Sequence, residues 1–231
     1  MGNRTQRRPA AARLVCDFFD TAFDVLESWK PDLAGDLAAV PDATRLTSAR
    51  LDELVRPYAA QTLSETRIPV YGAGFIAAIG LLRDARGHLS WWQGPDREQL
   101  SLAWSIINKE HLDYSEFEWY RVPMMTGKAH LSGPSVDYLC SDEYTMTIAT
   151  PVSIRGRFVG VAALDLLVDS VERHLVPRLR QEIDDRATLI NSADRIIVST
   201  DPNLAAGDPV SRAGADAAVR HSCGSLALLI G

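Results

Sequence analysis

The stretch YTMTIATPVSIRGRFVGVAALDLLV, residues 144–168, constrains this chain more than any other. Met146, Ile148, Val152 and Ile154 alternate with other residues, Arg155-Gly156 reads as a tight turn, and Phe158 to Leu166 return as a second apolar run. Side chains of a strand repeat every second residue, so the pattern predicts an antiparallel hairpin in the middle of a sheet.

The flanking segments extend this reading. Leu14, Phe18, Ala22 and Leu26 predict an amphipathic helix over 13–29, followed by a Pro- and Asp-rich loop from Pro31 to Thr44. Thr47 or Ser48 can cap a second helix, 47–65, with Leu51, Leu54, Val55 and Tyr58 on one face, set across the sheet. Residues 72–94 read as strand, turn at Ala85-Arg86-Gly87, and strand; 97–110 reads as a short helix. Asp113 to Asp142 is aromatic, punctuated by Gly and Pro, and fits no regular element. A helix over 168–185, a hairpin in ATLINSADRIIVSTDP and a last strand in HSCGSLALLIG complete the chain. The result is an α+β layout.

Composition narrows the function. The 231 residues are 46% hydrophobic, enough for a self-sufficient core, and the net charge of −6 argues against a nucleic-acid surface. The run from Ile68 to Leu82 is too short and glycine-rich to span a bilayer, and Asp17 and Asp20 interrupt any signal-peptide core. Cys16, Cys140 and Cys223 match no CxxC spacing and read as reduced thiols. A soluble cytoplasmic protein is expected, with no nucleic-acid or membrane partner.

GAGFIA (Gly72 to Ala77) satisfies a dinucleotide fingerprint, but the chain turns back as a hairpin instead of opening a helix, so the small residues read as a packed strand. The five histidines form no metal-ligating spacing, and no serine lies in GxSxG. No catalytic residue, metal or cofactor is expected. The aromatics are the informative feature: of the 17 Phe, Trp and Tyr residues, nine fall between Trp91 and Tyr144, interleaved with acids. Aromatic walls with a few fixed charges suit a small polar or cationic ligand, although aromatics also fill cores.

The order EWYRVPMMTGKAHLSGPSVDY, EYTMTIATPVSIRGRFVGVAALDLLV, LINSADRIIVSTDPNLAAGD resembles the Cache sensor family over roughly residues 47–210. The resemblance implies a long N-terminal helix and a PAS-like antiparallel sheet whose pocket holds a small molecule. It divides the chain into an N-terminal helical segment (1–46), a Cache-type ligand-binding domain (47–185) and a small, short second PAS-like module (186–231). It also implies ligand contacts at Trp119, Tyr120 and Asp165, with Tyr138, Tyr144 and Asp137 or Asp142 nearby. In the amino-acid-binding version an Arg stands two residues before the Trp; here that position is Phe117, with Arg121 as the candidate stand-in. The departure weighs against an α-amino acid. The expected function is therefore a sensor for a small amine or amino-acid-like ligand, signalling through a homodimer, with helix 13–29 as the surface, or through a separate output protein. The alternatives are an enzyme using the same pocket and a carboxylate-binding Cache protein. For Asp165 the competing role is an N-cap for the helix near Val168.

Overall fold

A computed structural model describes residues 2–40, 46–100, 113–139, 141–211 and 218–231. The chain opens with a 37-residue helix, α1 (Gly2–Ala38). The expected loop at Pro31 is instead helix. Pro31 removes one backbone donor, yet Leu33 and Leu37 continue the buried stripe of Val15, Ala22, Leu26 and Trp29, and that burial outweighs the lost bond. Helix α2 (Ser48–Leu63) starts at Thr47, whose hydroxyl accepts from the Arg50 amide at 3.2 Å. It locks onto α1 where the Trp29 indole donates to Thr62 at 2.9 Å and stacks on Tyr58.

Strands β1 (Val70–Ala77), β2 (Leu89–Gln93), β3 (Glu98–Gln99), β4 (His130–Val136), β5 (Tyr144–Ile154) and β6 (Arg157–Leu167) form one antiparallel sheet in the order β3-β2-β1-β6-β5-β4. The β5–β6 hairpin turns at Arg155-Gly156, both at positive φ, and occupies interior positions. GAGFIA is β1, paired antiparallel on both sides, so no helix opens at Gly74. The expected helix over 97–110 is not there at its start: Glu98–Gln99 extends the sheet, and residues 101–112 lie outside the described residues. Between Asp113 and Asp142 the chain is more regular than expected, with α3 (Glu118–Thr126) closed by left-handed Gly127, then β4.

Helix α4 (Val168–Glu182) leads to β7 (Ala187–Ile190), β8 (Ile196–Ser199), β9 (Val219–Cys223) and β10 (Leu226–Ile230), a second sheet ordered β8-β7-β10-β9. The expected last strand is thus a hairpin, and this sheet occupies the stretch set apart as the second module. Helix α1 runs along both sheets, and its apolar stripe is used on them, which removes the surface suggested for a dimer. A disulfide joins Cys16 on α1 to Cys223 on β9, with Cα atoms 5.4 Å apart, correcting the expectation of reduced thiols at those two positions; Cys140 lies outside the described residues. No helix among the described residues is long and apolar enough to cross a membrane.

Candidate functional site

Alternation splits the six-stranded sheet into two faces. Ala162, Leu164 and Leu166 of β6, with Met146 and Ile148 of β5, pack in the large core with α1 and α2. The opposite parity, Val161 and Ala163 with Ala149 of β5 and Ile76 of β1, packs under Tyr114 and Tyr120 of the 113–142 segment. Asp165 shares that second parity. Across the ladders it stands between Gly72 of β1 and Thr147 of β5.

A pocket opens there, walled by Ile76, Leu89, Trp91, Trp119, Ala163 and Thr147, with Asp137 and Asp165 as its charged groups. Small residues make the space. A Cβ on Gly72 would come within 2.9 Å of the Trp91 indole, so the glycine lets that ring lie flat on the sheet. The Trp91 Nε1–H donates to Gln93 at 2.9 Å, which sets the orientation of the ring. Trp119 stacks on the half-exposed Phe117, ring centroids 5.7 Å apart, and forms the outer wall. The cavity volume is about 20 Å³, room for a single water or one ammonium group.

Asp165 is 5% exposed. The Thr147 hydroxyl donates to its Oδ1 at 2.6 Å, and no cationic side chain among the described residues pairs with it. Burial, then the nearby Asp137 carboxylate, push its carboxyl up to about 8 against the lowering effect of Thr147. Asp52 is the contrast. Its own burial would raise it, but hydrogen bonds from His88, Ser90 and Gln99 hold it below the usual carboxylate range. Helix α4 is preceded by Leu167 with no side-chain cap, so Asp165 is not an N-cap.

Of the residues singled out from sequence, Trp119 and Asp165 meet in this pocket. Tyr120 lies in the core beside it, edge-on to Tyr114 and Phe158, with its hydroxyl accepting from the Ile79 amide at 3.4 Å. Tyr138 is 78% exposed and stays out, because β4 has already carried the chain to the sheet's edge. Tyr144 packs instead against Gly207, in the segment after β8. Arg121 and Asp142 are exposed; among the described residues Arg121 reaches Met125 along α3 and does not line the pocket, so it does not replace the missing pocket arginine. Asp137, one of two acids considered, lines the pocket while its carboxylate accepts from the Leu139 amide and the Ser141 hydroxyl. Thr147 and Gly72 went unnoticed as site residues. Among the described residues, no group of three or more His, Cys, Asp or Glu side chains could hold a metal ion.

The sequence profile of the methyl-accepting chemotaxis protein-like, first PDC sensor domain matches residues 95–173. No curated protein sequence matches significantly. Solved structures do. The ligand-binding domain of the Campylobacter jejuni chemoreceptor Tlp3, in complex with L-norvaline, superposes with a TM-score of 0.67 at 14% identity, covering 99% of this chain and 88% of that one. The Pseudomonas fluorescens chemoreceptor CtaA with L-valine gives 0.59 at 17%, covering 96% and 90%. The Pseudomonas aeruginosa amino-acid chemoreceptor PctC with GABA gives 0.57 at 14%, covering 96% and 95%. The architecture here, a long N-terminal helix with antiparallel sheets, is the fold of these PDC/Cache-like domains. They are sensory ligand-binding domains rather than enzymes.

Proposed function

We propose that this chain is the ligand-binding part of a sensor and that its pocket takes the ammonium group of a small amine. The observation that carries this is Asp165: a carboxylate in the middle of a sheet, one hydrogen-bond donor, no cationic partner among the described residues. A buried charge is costly unless paired, and a ligand cation would pair it. Trp91 and Trp119 would add cation–π attraction and exclude water. The space beside Asp165 suits an ammonium head, with the rest of the ligand passing Trp119 toward solvent.

The second reading is an α-amino acid, favoured by the ligands named for the similar chemoreceptor domains. Against it stands the pocket lining, which among the described residues offers two carboxylates and no cation for a ligand carboxylate. Isobutylamine and L-valine differ only by that carboxylate. In a thermal-shift assay isobutylamine should stabilise the protein, by about 2.7 kcal/mol at a hundred times its Kd, and L-valine should do so less. Asp165→Asn should remove the isobutylamine shift while the protein stays folded. A larger shift with L-valine would sink the amine reading. With the α1 stripe used internally, output to a partner protein is the favoured route. The Cys16–Cys223 bridge favours an oxidising compartment over the cytoplasm.

A further inference from the structure

Asp165 is also set up to carry a proton when no ligand is bound. Its carboxyl leaves the sheet between two neighbouring strands, at Gly72 and Thr147, and is almost wholly shielded from water. From the segment after β4, Asp137 faces the same cavity and brings a like charge. From β1, the Tyr71 phenol is pushed up by burial and by Glu143, Asp137 and Asp165, so it stays neutral through the neutral range. β2 and α3 contribute the Trp91 and Trp119 rings, and β5 contributes Thr147. No basic group among the described residues faces the carboxyl. The Thr147 hydroxyl can donate to an ionised carboxylate or accept from a protonated carboxyl, so it suits both states.

Resting on the amine reading above, we infer that the site exchanges a proton for its ligand: the empty pocket holds a neutral Asp165 carboxyl, and an arriving ammonium displaces that proton to water. The balance is simple. Asp165–COOH and R–NH3+ give the carboxylate–ammonium pair and one H+, with no bond made or broken except O–H. The sensor then reports amine and pH together. Below the point where Asp165 ionises, apparent affinity falls about tenfold for each pH unit. Above it, affinity levels off until the ligand amine loses its charge, at about pH 10 for a lysine-like amine.

Two measurements on the full chain test this. In the empty protein, carboxyl-carbon NMR should place the Asp165 midpoint at about 8. Calorimetry with isobutylamine at about pH 6, in phosphate and again in MES, should give heats whose difference corresponds to about one proton released; at about pH 9, in borate and again in CHES, the difference should nearly vanish. Asp137→Asn keeps an acceptor for the Leu139 amide and turns a donor toward the Ser141 hydroxyl oxygen but removes the like charge, so it should shift the Asp165 midpoint and the affinity profile together to lower pH. An Asp165 midpoint below about 5, or binding at about pH 6 without proton release, overturns the exchange while leaving the amine reading intact. Silence of isobutylamine across the whole range, with Asp165 titrating at about 8, overturns the amine reading and the exchange with it.

Discussion

The two faces of the six-stranded sheet are built from the same strands and serve opposite ends. Toward α1 and α2, β6 presents Ala162, Leu164 and Leu166, all fully buried among apolar neighbours. Toward the 113–142 segment it presents Val161, Ala163 and then Asp165, beside a glycine and a threonine. One face gains from tight apolar packing. The other gives up side-chain volume and accepts a poorly compensated carboxyl, and the space so created is the proposed ligand site. A sheet whose strands alternate in this way can separate stability from recognition within a single strand.

Truncation on the helix-covered face should cost most. Leu164→Ala should destabilise by about 3–4 kcal/mol, read by chemical denaturation; a loss under about 1 kcal/mol would break the contrast between faces. Releasing the Cys16–Cys223 bridge, which holds α1 against the second sheet, should cost about 2–4 kcal/mol, seen as a lower unfolding midpoint in reductant or in Cys16→Ser.

On the pocket face the sign should reverse. The folded-state ionisation of Asp165 lies above its unfolded value, at about 8. Its contribution to stability is therefore full below about pH 4 and is lost as pH rises toward 8. Asp165→Asn escapes that loss and should be more stable than the parent by about 1–3 kcal/mol at neutral pH, with little difference at about pH 4. Denaturant melts across this range check it, and a destabilised variant at neutral pH would mean the carboxylate has a partner it needs. Gly72→Ala should cost about 1–2 kcal/mol by displacing Trp91, and should weaken isobutylamine binding as the indole moves into the pocket. The smallest effect belongs to Tyr138→Ala, within about 0.5 kcal/mol and with unchanged binding, because that ring faces solvent.

Much of this molecule was legible in the chain before any coordinates. The period-two pattern over 144–168 announces the central hairpin and its turn, because strand alternation and turn chemistry are local properties. The same holds for the core stripe of α1 and for rejecting GAGFIA as a nucleotide loop. Trp119 and Asp165 could be picked out as well, through their place in a recognisable order of motifs. Thr147 could not. An unbroken ladder from the Arg155-Gly156 turn would set Met146 opposite Asp165, but the register shifts by one residue between Val152 and Ser153, which brings Thr147 there and sends Met146 to the core. A one-residue shift exchanges the faces of everything beyond it, and its energy comes from packing on both sides of the sheet rather than from the residues where it occurs. Tyr138 and Tyr144 follow the same logic. Their spacing in sequence brings them near the pocket, but the course of β4 and the second sheet decides that one ring faces water and the other packs on Gly207.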